Sequence, residues 1–368
     1  AVCLMRLRRI TLQHVRNIPS ASLALDGTRQ FVLGRNGQGK TNLLEAVGFL
    51  TALRSFRTSD ARLMIAHGQP EAAMGFELDH ARRGPTRVVI RLRAGSKELT
   101  VDNEKITRLG DFLGQFPTVV FSSQDQQLIR GNPAGRRRWL DLTLAATDGS
   151  YLQSLQGYHR ALAGRNALLK RGAPDAELAA FERLLAEQGT RLVAIRADGL
   201  RHLAARLQEA YLKIATADSP ERVGFAYAPH FAGGDAEALF ARLEAGRARD
   251  VQFRSTLTGP HRDDFEFTLD GRPARETASE GQQRSMVLAL RLAQADWFWH
   301  HRGTAPLILA DDVLGELDEP RRRGFWSAMP DDWQVIATGT EKPDSPAQSW
   351  QVFTVANGHF SAEAGSSP

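Results

Sequence analysis

The sequence predicts an α/β fold: a lobe of mixed sheet and helices built from both ends of the chain, with a helical lobe inserted between them. Three observations support this. Gln30-Phe31-Val32-Leu33, a short apolar run, leads through a glycine-rich loop into a stretch with Leu43, Leu44, Val47, Phe49 and Leu50 at helical spacing. Near the other end, Pro306-Leu307-Ile308-Leu309-Ala310 runs into Asp311-Asp312, as a central parallel strand does when it ends in acids. Between the two, residues from about 134 to 214 read as helical.

The loop itself, Gly34-Arg35-Asn36-Gly37-Gln38-Gly39-Lys40-Thr41, fits the phosphate-loop pattern G-x-x-x-x-G-K-[ST] at each specified position. Its glycines allow a tight curl with positive φ, which turns successive N–H groups inward as a cradle for phosphate oxygens. The helix starting near Lys40 aims its positive end at the same anion. Lys40 is expected to reach the β- and γ-phosphates, and Thr41 to hold Mg²⁺ through its hydroxyl. Asp311 would sit beside the loop and share that Mg²⁺, while Asp312 would orient the attacking water. The plainer alternative is that the two aspartates only cap a helix.

Composition narrows the class. The chain has 368 residues, 42% of them hydrophobic and 24% charged, within the range of globular proteins. No apolar run is long enough to span a bilayer, so no membrane partner is expected. The opening Ala1-Val2-Cys3-Leu4-Met5 is too short for a signal peptide, and Met5 is a candidate for the natural start because the first strand pattern begins at Arg6. One cysteine permits no internal disulfide, in keeping with a cytoplasmic location. Net charge is +5, and with six lysines among 47 basic residues the other 41 are arginines, suited to planar phosphate contacts.

In chain order, Arg6–Gln13 alternates as a half-buried strand, with Ser22–Leu25 as its hairpin partner. Ala73–Leu78, Thr86–Arg93 and Glu98–Asp102 read as antiparallel strands separated by turn signals. Pro117–Phe121 reads as a buried strand ending in Ser122-Ser123-Gln124-Asp125. The expected division is 1–130 plus 215–368 for the sheet lobe and 131–214 for the helical insertion. In that insertion one apolar stripe runs through Leu152, Leu155, Tyr158, Leu162 and Leu169, and a second from Leu178 to Tyr211. The second covers about 37 residues, roughly 55 Å of helix, and suits either an ordinary subdomain or a projecting arm. Strands return at Val223–Ala228, Glu266–Leu269, Val335–Ala337 and Val352–Val355, and Ala278–Gln294 reads as an amphipathic helix.

Ser279-Glu280-Gly281-Gln282 opens that last helix, with Ser279 placed as an N-cap. The same Ser-x-Gly-Gln resembles the signature of ATP-binding-cassette ATPases, in which this loop meets the γ-phosphate held by a second copy. Gly315-Glu316-Leu317-Asp318 resembles that superfamily's D-loop. The chain is narrowed further by Arg16-Asn17, Ser55-Phe56-Arg57, Gly131-Asn132-Pro133 with Arg136-Arg137-Arg138-Trp139-Leu140-Asp141, and above all Thr258-Gly259-Pro260-His261-Arg262-Asp263-Asp264. These blocks resemble the RecF family, and the resemblance runs over nearly the whole chain.

That resemblance implies a P-loop ATPase head of the ABC/SMC type. It implies a cytosolic DNA-binding protein that acts with RecO and RecR to place RecA on gapped DNA, in repair, replication restart and the SOS response. ATP and Mg²⁺ are the implied ligands, and the implied activity is a slow, DNA-stimulated hydrolysis that opens an ATP-dependent homodimer. Gln124 is the candidate Q-loop residue, standing where the family often has an acid. Asp312 replaces the Glu of most cassette ATPases, and Thr338 and Thr340 occupy the switch region. Arg136, Arg137 and Arg138, with Arg160, Arg165, Lys170 and Arg171 on the first helical hairpin, are candidates for tracking a phosphate backbone without reading sequence. A transporter's nucleotide-binding subunit and an SMC-type chromosome-structure protein are the alternatives. The Gly259-Pro260-His261-Arg262 block argues against the first and the shortness of the helical stripe against the second.

Overall fold

The computed structural model describes residues 4–58, 60–215, 221–313, 315, 317–342 and 349–363. The chain divides into two compact units: 1–125 with 210–216 and 288–368, and 126–209 with 217–287.

The first unit holds two six-stranded sheets. In one, Ile18–Ala24, Arg6–Val15, Glu71–His80, Gly84–Arg93, Ser96–Val101 and Glu104–Lys105 follow one another antiparallel. Alternation puts Met74, Phe76, Val88 and Ile90 on its inner face and leaves Arg87 and Arg91 outside. In the other, the order is His359–Ala362, Gln351–Ala356, Arg29–Leu33, Val335–Gly339, Leu307–Asp311 and Thr118–Ser122. All its pairs are parallel except the terminal hairpin. One apolar core joins both sheets through the helix Lys40–Ala52, whose Leu43, Leu44, Val47, Phe49 and Leu50 are buried with Ile10, Phe76, Leu309 and Ile336. Each such fully buried side chain stabilises the unit by roughly 1.5–3 kcal/mol.

The central strand Arg29–Leu33 takes Val335–Gly339 on one side and Gln351–Ala356 on the other. The ends of the chain therefore do meet in one sheet, with the glycine loop leaving its carboxyl edge.

The second unit carries helices Pro133–Ala145 and Gly149–Arg171 and most of Asp175–Ile214. The last has 40 residues and is about 60 Å long at 1.5 Å per residue. Asn132 and Asp148 cap the first two helices with their side chains, and Gly172, at φ 70°, ends the second in the left-handed region. This unit is larger than the expected insertion of 131–214. Val223–Ala228 and Asp264–Leu269 pair with each other rather than with either six-stranded sheet. Phe225 meets Phe265 and Phe267 edge to face, and Phe265 lies tilted against Phe267 and against Trp139 on the first helix. Two short helices, Ala236–Ala245 and Arg247–Phe253, fill the stretch between those strands, where no element was read from the sequence. Among the described residues no helix is long and apolar enough to cross a membrane.

Candidate functional site

In the first unit a cleft of about 1230 Å³ opens over the glycine loop and is lined by Asn36, Gly37, Gly39, Lys40 and Thr41. Gly37 and Gly39 stand at φ 80° and 120°, where a side chain is disfavoured. A Cβ on Gly34 would come within 2.7 Å of Val355, so the loop can leave its strand only as glycine.

Lys40 is 3% exposed. Its Nζ donates to the Gly34 carbonyl at 2.7 Å and to Asn36 Oδ1 at 3.4 Å, and lies 3.6 Å from Asp312 Oδ1. The Thr41 hydroxyl donates to Asp311 Oδ1 at 2.9 Å, across 270 residues of sequence. Thr338 donates to the same oxygen at 3.1 Å and accepts the Asp312 N–H at 3.0 Å. Burial raises the Asp311 carboxyl, the bonds from Thr41 and Thr338 pull it back, and neighbouring Asp312 adds to the rise. Asp312 turns the chain at φ 56°, and the α-helix Glu319–Ser327 that follows is capped by Asp318 rather than by either acid of the pair.

Side chains from outside the loop hold its shape. Asn17 Nδ2 donates to the Gly37 carbonyl at 3.0 Å, and Asn42 Nδ2 donates to Asn17 Oδ1 at 2.7 Å. From the last hairpin, Gly358 N–H reaches the Gln38 carbonyl at 2.9 Å and Asn357 N–H reaches Gln38 Oε1 at 2.7 Å. Glu45, fully buried on the loop helix, gathers Arg16 Nη2 at 2.8 Å, Arg57 Nη1 at 3.3 Å and the Ser55 hydroxyl. Arg16, Ser55 and Arg57 were noted in the sequence without a common partner. That partner was signalled only by one carboxylate inside the run Leu43-Leu44-Glu45-Ala46-Val47.

The remaining expected residues fall in different places. Arg35 is exposed. Gln124 is exposed on the turn after Thr118–Ser122, and among that turn's residues Ser123, not Gln124, lines the cleft. Gly315 lines the cleft, Leu317 is buried, Asp318 caps the helix Glu319–Ser327, and Glu316 lies outside the described residues. Ser279, Glu280, Gly281 and Gln282 belong to the second unit. Ser279 is exposed and forms a reciprocal cap: its Oγ accepts Gln282 N–H at 3.3 Å and Gln282 Oε1 accepts Ser279 N–H at 2.7 Å.

The arginine cluster requires correction. Arg136 is buried and holds the Asp264 carboxylate with two bonds of 2.8 Å, and Arg137 donates to the Asp263 carbonyl at 2.7 Å. Arg138 is half-buried. Arg165 is fully buried between Glu182 and Asp250. Arg136 and Arg165 are therefore not open to a phosphate backbone. Arg160, Lys170 and Arg171 are exposed.

No group of three or more His, Cys, Asp or Glu side chains could cage a metal among the described residues. A hydroxyl and a carboxylate 2.9 Å apart, Thr41 and Asp311, instead suit a hard cation that keeps most of its ligands as water and phosphate oxygens.

The profile described as RecF/RecN/SMC N terminal domain matches residues 6–344. The DNA replication and repair protein RecF of Thermosynechococcus vestitus is 38% identical over 369 residues, covering 96% of each chain. That of Geobacter metallireducens is 36% identical, covering 92% of this chain and 93% of its own. The chain belongs to the RecF family of DNA replication and repair proteins. A solved structure of the recombination mediator protein RecF with ATP, in the RecFOR pathway, superposes with a TM-score of 0.91 at 28% identity, over 99% of both chains. An Smc head domain from Pyrococcus furiosus reaches 0.56 at 15% identity over 98% of this chain and 96% of its own, a likeness of fold alone.

Proposed function

We propose that this chain binds ATP with Mg²⁺ in the cleft over Gly34–Thr41 and hydrolyses it to ADP and phosphate, slowly and faster with DNA. The observation that carries this reading is the convergence of Lys40, Thr41, Asp311 and Asp312 from opposite ends of the chain. Lys40 exchanges its Asp312 contact for the β- and γ-phosphates, and the loop N–H groups bind the phosphate oxygens. Thr41 and Asp311 hold Mg²⁺, which neutralises charge building on the phosphates. Asp312, released from Lys40, orients the attacking water and takes its proton as the bond from the γ-phosphorus to ADP breaks.

The second unit contributes Ser279, whose exposed hydroxyl at a helix start suits the γ-phosphate of a second copy. Two copies then close head to tail about a two-fold axis, and hydrolysis reopens them. The working context is gapped or single-strand/double-strand junction DNA in the cytoplasm, with RecO and RecR as partners in loading RecA. Exposed Arg160, Lys170 and Arg171 replace Arg136 as candidates for phosphate contact.

Ser279→Arg tests the shared site. It should bind ATP on its own loop yet neither dimerise nor hydrolyse, as light scattering and phosphate release report. An ATP-induced dimer of Ser279→Arg, or no ATP-dependent dimer of the unmodified chain, rejects it.

A further inference from the structure

We infer that Thr338 is a positioning residue for ATP hydrolysis: its hydroxyl sets the relative placement of the Asp311 and Asp312 carboxylates. The inference rests on the ATPase reading above. Thr338 is 1% exposed, on the strand Val335–Gly339, after Val335, Ile336 and Ala337, which are all buried apolar residues. Packing at such a position is served equally well by valine, which has the same shape, so packing does not call for the oxygen.

The oxygen has two partners, and both belong to the acidic strand end. As donor it bonds Asp311 Oδ1 at 3.1 Å, the oxygen that also accepts Thr41. As acceptor it takes the Asp312 N–H at 3.0 Å. A single atom that both gives and receives a hydrogen bond is what serine and threonine supply, and no apolar side chain can. The first bond orients the Asp311 carboxylate toward Thr41. The second fixes a backbone turn at φ 56°, and that turn sends Asp312 toward the cleft and Lys40. Without the hydroxyl, the partly buried Asp312 N–H loses its partner in the strand and the turn its restraint.

Thr338 lies under both carboxylates, so its loss should show in turnover rather than in nucleotide capture. The test compares the unmodified chain with Thr338→Val, Thr338→Ser, Asp312→Asn and the double variant Thr338→Val/Asp312→Asn. Three quantities are measured: the affinity for a fluorescent ATP analogue in EDTA, kcat and KM with Mg²⁺, and the melting temperature. Thr338→Val should keep its metal-free affinity within about threefold and lose about 10- to 100-fold in kcat, as a small misplacement of reacting groups does. Thr338→Ser should recover most of that loss. In the Asp312→Asn background, Thr338→Val should cost clearly less than it does alone, because the part of its effect that runs through the Asp312 carboxylate is already gone. The inference is overturned by a Thr338→Val kcat close to the unmodified value, by Thr338→Ser as slow as Thr338→Val, or by additive losses in the double variant. It is equally overturned if metal-free affinity falls in step with kcat. An unmodified chain that hydrolyses no ATP rejects the ATPase reading and this inference together. Normal hydrolysis with an unaffected Thr338→Val rejects this inference alone.

Discussion

The cleft of the first unit and the interior of the second use charge in opposite ways. In the first, Lys40, Asp311 and Asp312 approach one another around an open cleft, with contacts as loose as 3.6 Å between Lys40 and Asp312. In the second, Arg196 is buried and binds Asp141 at 2.8 Å, Asp263 at 2.9 Å and the Pro260 carbonyl at 2.7 Å. Tyr151 donates to Asp141, and Tyr227 to Asp263, so the carboxylates have further partners. Arg165, Glu182, Asp250 and Arg247 repeat the pattern. Charges set around a cleft can change partner when a ligand arrives. Charges enclosed by their partners cannot, and they act on folding.

The contrast is broken most directly by removing a buried arginine. Arg196→Ala leaves Asp141 and Asp263 without their cation and should cost about 3–5 kcal/mol of stability, seen as a lower denaturation midpoint with or without ATP. A stable, well-folded Arg196→Ala would show that the second unit's charges are not what holds it.

Acid probes the same unit. Neutral His261 accepts the Tyr158 hydroxyl at Nδ1, 2.6 Å away, and donates from Nε2 to the Thr256 carbonyl at 3.0 Å, a tautomer assigned from these partners. Burial lowers its pKa from 6.5 to about 4. The unfolded chain takes up a proton below 6.5 and the folded chain does not until about 4. Stability is therefore whole above pH 6.5 and falls as pH drops toward 4, by about 1.4 kcal/mol per pH unit and about 3 kcal/mol in all. Denaturation curves across that range should be flatter for His261→Gln, and an equal slope in both would assign the acid sensitivity elsewhere.

The smallest expected effect on the contrast is in the first unit. Lys40→Ala should lower ATP affinity by about 2–3 kcal/mol, on the order of 100-fold, because a charged donor to phosphate is lost. Its melting temperature without nucleotide should barely move. A large fall in melting temperature would place Lys40 among the folding charges.

This contrast also marks what the sequence could reveal. The glycine loop, the paired aspartates and the cap at Ser279 are local patterns, recognisable from neighbours a few positions away even where, as for Asp311, the working partner is distant. Arg136, Arg165 and Arg196 depend on acids far along the chain. Asp264 is 128 residues from Arg136, and Asp250 is 85 from Arg165. Spacing on a helix shows which face an arginine occupies but not what will cover it, so a buried arginine and a solvated one look the same. Glu45 was missed for the same reason, and Thr338 was placed in the switch region without its partners, since each acts through groups brought in by strands or turns distant in sequence. The two short helices of the second unit, Ala236–Ala245 and Arg247–Phe253, by contrast, were hidden by their short length.

The clamp on Gln38 has a consequence for biosynthesis. Asn357, which binds it, is 319 residues downstream, and both neighbours of the strand Arg29–Leu33 come from beyond residue 334. A ribosome adding about 5–20 residues per second needs roughly 15–60 s to make the stretch between them. Throughout that interval the nascent chain carries its phosphate loop on an unpaired apolar strand. A chain stopped before the last hairpin carries the phosphate motif without the Asn357 and Gly358 contacts to Gln38 and without the Gln351–Ala356 pairing that flanks the loop's strand.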